Sequence, residues 1–123
     1  MKKILGLTLG LLFAAFTYAQ SPVTFTDAGD DYQKTETTVF HFTFDESITH
    51  EKINENATYY TEYFSVTATD SENGHTVEIA LEQDDEMSRR VVMRLFVSLE
   101  VDAIIVQGEE IPLREFTKQY IEL

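Results

Sequence analysis

Histidines at positions 41, 50 and 75 stand in a chain that holds 22 acidic residues and no cysteine. Without a thiol there is no thiolate nucleophile, thiol redox couple, disulfide or soft-metal site built on sulfur. Imidazole with carboxylate suits a divalent ion, so His50 with Asp45 or Glu46 is the first arrangement to weigh. Those residues also stand where a helix is expected to start, and capping in a solvated loop accounts for them without an ion. Asp27, Asp30 and Asp31 lack the alternating oxygen ligands and closing glutamate of a calcium loop. Asp84, Asp85 and Glu86 have the charge that favours the positive end of a helix.

No glycine-rich phosphate loop and no nucleophile elbow is present. So many carboxylates allow a catalytic pair to be drawn anywhere, and their number selects no reaction. The sequence thus assigns no catalytic, cofactor-binding or metal-ligating residue; it predicts no cofactor and no enzymatic activity. Arg89, Arg90 and Arg94 form the one cationic cluster after the lysines at the start, and pairing with nearby acids is the simpler reading than docking of a carboxylate-bearing partner. Tyr59 and Tyr63 are one helical turn apart, on a stripe offset from Tyr60 and Phe64, and exposed tyrosines favour interfaces.

These side chains need elements to hold them. Phe40, Phe42 and Phe44 alternate with His41 and Thr43 at the period of a half-buried strand, which sets His41 on the face away from the phenylalanines. Ile53, Ala57, Tyr60 and Phe64 predict a helix over about residues 49–63. Alternation then returns over 64–68 and 77–81, joined by a turn at Asn73 and Gly74. Met87, Val91, Leu95 and Leu99, with Val92 and Phe96, predict a second helix. The apolar run 103–106 reads as a last strand, and Pro112 opens a short terminal helix carrying Leu113, Phe116 and Tyr120.

The order strand, helix, strand, strand, helix, strand predicts an α+β, ferredoxin-like βαββαβ sandwich: a four-stranded antiparallel sheet with two helices on one face and a short C-terminal helix. Its open face would carry His41, Thr43, Ser65, Thr67, Thr69 and Glu78. In this element order, and in the Asn73, Gly74 hairpin followed by Thr76, Val77, Glu78 and Ile79, residues 39–107 resemble the heavy-metal-associated domain family. The resemblance implies a fold, not its metal site. Members of that family bind soft ions through two cysteines in the loop after the first strand, where this chain has Asp45, Glu46, Ser47 and His50. Only weak, salt-sensitive binding of Cu(I) or Zn(II), independent of His50, is expected on this reading.

Lys2 and Lys3, an apolar run over 4–16, and Thr17 with Ala19 have the order of a cleaved signal peptide, and the run is short for a membrane span. Cleavage between Ala19 and Gln20 in so acidic a chain resembles exported proteins of the Bacteroidetes group of bacteria. The expected organisation is residues 1–19 signal peptide, 20–38 polar flexible leader with a short strand at 23–26, and 39–123 one domain, periplasmic or secreted, with no stable membrane anchor after cleavage. Loss of Lys2 and Lys3 takes the formal charge from -13 to -15, which disfavours nucleic acid and attracts cationic partners. The function expected is a non-catalytic binding module for another exported protein or a small ligand, with Tyr59, Tyr63, His41 and Thr67 on its interaction surface. The alternative is an altered metal-handling domain that has lost the dithiolate site. Mass spectrometry of the protein recovered from its source cell should find Gln20, cyclised or not, as the first residue; an intact Met1 on a cytosolic protein contradicts the export reading.

Overall fold

The computed structural model describes residues 21–123, and the signal-peptide reading lies outside them. The phenylalanine alternation forms strand β2, Val39–Asp45, with Phe40, Phe42 and Phe44 all buried. It pairs antiparallel with β4, Gly74–Leu81, which places Phe40 beside Ile79 and Phe42 beside Val77 on one apolar face. Strand β3, Phe64–Ser71, pairs antiparallel with the far side of β4. Its turn is Glu72 and Asn73, one residue earlier than the Asn-Gly pair predicts. Gly74 instead permits a close approach, because a Cβ there would lie 2.0 Å from the Phe44 carbonyl oxygen.

Helix α1, His50–Ala57, starts under the Thr49 cap, whose hydroxyl accepts from the Lys52 backbone N at 3.1 Å. It is shorter than predicted. The following Thr58–Tyr60 tightens into a 3-10 turn, and Phe64 opens β3 with Tyr60 stacked on its ring. Threonine and tyrosine lose side-chain freedom in a helix, and burial of Phe64 in the sheet wins over extending it. Helix α2, Glu86–Ser98, starts at Asp85, whose carboxylate accepts from the Ser88 backbone N at 2.7 Å. It buries Val91, Val92, Leu95 and Phe96. Helix α3, Leu113–Tyr120, buries Leu113 and Phe116. Among the described residues no helix is long and apolar enough to cross a membrane.

The ferredoxin-like expectation is corrected by the sheet. It has six strands in the order β3-β4-β2-β1-β5-β6, is mixed, and is accompanied by three helices. Strand β1, Val23–Phe25, is the short strand expected within the leader, but it belongs to the domain's sheet: it pairs antiparallel with β2, while β5, Ala103–Val106, pairs parallel with β1. In a ferredoxin-like sandwich the last strand pairs directly with the first; here β1 stands between them. The cause is apolar: Val23 and Phe25 lie opposite Phe44 and Phe42 and join the same core. Phe25 meets Phe42, Phe116, Tyr32 and Tyr120 at ring separations of 5.1–5.6 Å. Strand β6, Glu109–Pro112, returns from β5 through Gln107 and Gly108, both in the left-handed region that a two-residue hairpin turn requires.

The largest fully buried side chain is Arg89 of α2, with no exposed surface. Its Nε donates to Asp84 at 2.6 Å, one terminal nitrogen donates to the carbonyls of Lys34 and Ile121 at 2.9 Å each, and the other to that of Thr37 at 2.8 Å. The guanidinium carbon lies 5.8 Å from the centroid of the Phe40 ring. The reading of Arg89 as a surface cation is therefore corrected. Burial of a charge is tolerated only when its hydrogen bonds are made, and here the acceptors come from three separated parts of the chain. Arg89→Ala should cost about 3 to 5 kcal/mol in denaturant unfolding, and Arg89→Lys should recover only part, because a single ammonium cannot reproduce the planar fork. A loss under about 1 kcal/mol for Arg89→Ala would remove Arg89 from this role.

Candidate functional site

The face of the sheet away from the aromatic core is ordered in ranks across neighbouring strands. One rank places Thr69, Thr76, Thr43 and Thr24 side by side on β3, β4, β2 and β1. The next places Thr67, Glu78 and His41 side by side. The Asp27 carboxylate closes that second rank: one oxygen accepts from the His41 backbone N at 2.7 Å and the other lies 3.0 Å from His41 Nδ1. His41 Nε2 lies 3.2 Å from the Glu78 carboxylate. Both ring nitrogens thus have carboxylate partners on opposite sides, which orients the imidazole.

Of the four residues expected on an interaction surface, His41 and Thr67 share this face in one rank. Tyr59 and Tyr63 do not join them on the strands. Tyr59 lies in the 3-10 turn and is 79% exposed, whereas Tyr63 follows that turn and packs against the core edge. A hydrogen bond with Glu62 raises the Tyr63 hydroxyl above its usual pKa. Arg89 leaves the expected cationic cluster for the core, and Arg90 pairs with Glu86 at 2.6 Å.

The acidic groups weighed in the sequence mostly serve local structure. Asp45 accepts from the backbone and hydroxyl of Ser47 in the turn after β2, Asp84 holds Arg89, and Asp85 caps α2. Asp27 orients His41, while Asp30 and Asp31 line an open polar depression of about 540 Å³ with Tyr32 and Glu36. His50 meets neither Asp45 nor Glu46 in a hydrogen bond. Its Nδ1 lies 3.3 Å from Asp70 Oδ1, and His75 Nδ1 lies 3.1 Å from the same oxygen. Those partners were not selected by sequence; the available signal was that Asp70 and His75 stand two residues outside a hairpin turn on each side of the Ser71, Gly74 pair, which makes them direct cross-strand neighbours.

The chain matches no family model, no curated protein and no solved structure. The site is therefore read from its geometry alone.

Three carboxylates are held below their ordinary pKa: Asp70 by hydrogen bonds from His50 and His75, Asp84 by the bond from Arg89, and Asp85 by the Ser88 amide. A depressed folded-state pKa contributes stability that is present above the unfolded value and is lost as pH falls through the folded value. Melting temperature should therefore drop as pH is lowered below about 4, the ordinary aspartate range. Asp84→Asn, already deprived of its share, should show a shallower drop than the parent chain. Identical slopes for the two proteins would contradict the Arg89 assignment as the cause.

Proposed function

We propose that the chain is an exported, non-catalytic binding module whose open sheet face receives a cationic segment of another exported protein. The observation that supports this reading is that lysine and arginine are confined to helices and 3-10 turns, whereas acids occur on helices and strands alike. Among the described residues, every lysine and arginine lies on a helix or 3-10 turn, at Lys34, Lys52, Arg89, Arg90, Arg94, Arg114 and Lys118. The strands carry Asp45, Asp70, Glu78, Glu109 and Glu110 and no cation. A face with carboxylates at Asp27 and Glu78, hydroxyls at Thr43, Thr67 and Thr76, and no lysine or arginine favours a cationic ligand and repels nucleic acid. His41, fixed between two carboxylates, gives the rank a defined shape. The loop after β2 offers no thiolate, which leaves the dithiolate chemistry of the resembled family without support.

A decalysine peptide is a suitable probe. In NMR titration at low salt, amide shifts should concentrate on His41, Thr43, Thr67 and Glu78, and should fade as salt is added. Glu78→Lys removes one attraction and adds one repulsion at an exposed site, so affinity should fall by about tenfold. Shifts spread over α2 and α3, or an affinity untouched by Glu78→Lys, would overturn the assignment of this face.

A further inference from the structure

Two of the three histidines converge on one carboxylate beside the β3–β4 hairpin turn. Asp70 and His75 oppose one another across the β3–β4 hairpin, and His75 also stands opposite Phe44 of β2, which turns it toward the helical side. There it is largely covered, its side chain 13% exposed. The Thr49 cap makes His50 the first residue of α1 and, with Ile53 anchored in the core, brings its ring to the same corner. The two imidazole centroids are 5.7 Å apart with their planes inclined at 63°, an edge-to-face approach.

We propose that His50, Asp70 and His75 form a site for one divalent transition-metal ion of the zinc type. One donor atom from each residue lies within 4.8 Å of the other two, and among the described residues this is the one such group. Ligands around a tetrahedral zinc, at about 2.0–2.2 Å from the ion, are roughly 3.3 Å from one another. The difference is within reach of side-chain rotation, since His50 and Asp70 are both substantially exposed. Asp70 Oδ1 already sits between the two Nδ1 atoms, accepting from each that carries a proton; an ion would take the place of those protons.

The donor set selects the class. Two imidazole nitrogens and one carboxylate oxygen suit Zn²⁺, Ni²⁺ or Cu²⁺, whereas Ca²⁺ and Mg²⁺ require a shell of oxygens and Cu(I) requires sulfur. Asp70 is 76% exposed, so the outer side is open, and the ion would keep one position for water or for a donor from a partner. His41 supplies an internal comparison. Its nitrogens face Asp27 and Glu78 in opposite directions, and those carboxylates do not meet at one point. The inference replaces the expectation that His50 takes no part in metal binding. It is independent of the open-face reading, because Glu78 and His41 are not among its ligands.

The test is calorimetric titration of Zn²⁺ into the chain at physiological ionic strength, with NMR of the imidazole resonances as a second readout. A saturable complex of one ion per chain in the micromolar range is expected, with the His50 and His75 rings shifted and the His41 ring unmoved. His50→Ala, at an exposed helix start, and Asp70→Asn should each weaken binding at least about tenfold, while His41→Ala and a large excess of Ca²⁺ should leave it unchanged. Circular dichroism of the variants keeps a loss of fold separate from a loss of ligand. Absence of a one-to-one isotherm, an isotherm untouched by His50→Ala in a folded protein, or an equal loss on His41→Ala would overturn the site. Glu78→Lys should weaken decalysine binding and spare zinc, so the two readings fail separately.

Discussion

A guanidinium with no access to solvent holds together three parts of this chain that backbone pairing alone leaves apart. Arg89 takes carbonyls from Lys34 and Thr37, in the connection between β1 and β2, and from Ile121 after α3, while Asp84 neutralises it from just before α2. A charged group in the interior is strongly unfavourable unless each donor finds an acceptor, so these segments are constrained together. Neighbouring contacts share the task. Tyr32 packs edge-on against Phe25 and donates its hydroxyl to the Tyr120 carbonyl, and Lys34 donates to that of Lys118. Burial raises the Tyr32 hydroxyl above its usual pKa, which keeps it a neutral donor.

That clamp secures the connection that delivers β1 to its place, and β1 in turn decides what the open face displays. Thr24 and the carboxylate of Asp27 reach the ranks containing Thr43 and His41 only because the strand before them is inserted beside β2. The helical layer, with all the described cations, lies on the other side of the aromatic core. The hairpin corner is a third region, built from β3, β4 and the first residue of α1. Its chemistry is separable from the face because the strand period sends His75 and Glu78 to opposite sides of β4.

What sequence made legible were the elements with long periodic signals. The phenylalanines of β2 stand where periodicity places them, as does the apolar stripe of α2 except Met87, which at the helix start is 53% exposed. The sheet's topology was hidden because the short strand expected at 23–26 has three residues, too few for an alternation to show which strands it pairs with. Strand β6 was masked by its two glutamates and proline, which are residues of an exposed edge. Arg89 shares a helix face with Val92 and Phe96, at spacings of three and seven, but its charge argued for solvent and the compensating carbonyls are distant in sequence. Gly74 offered the right residue for the wrong reason, close packing against Phe44 instead of turn geometry. His50 was identifiable as a ligand type, but its partners follow only once α1 is laid against the hairpin.

The insertion of β1 also orders the assembly of the domain in time. β3 and β4 form a local hairpin that β2 joins on its other side, across α1, and β5 with β6 is a second local hairpin. Neither piece touches the other within the sheet except through β1, whose Thr24 and Phe25 pair with Ile105 and Val106 near the far end of the chain. The closing event therefore joins the first strand made to the last hairpin made, the costliest loop closure in the fold. Until α3 and its following residues have emerged to complete the Arg89 clamp, Phe25 and its aromatic neighbours have no finished core to enter. A chain that ends before residue 121 lacks one of the carbonyls that the Arg89 guanidinium requires.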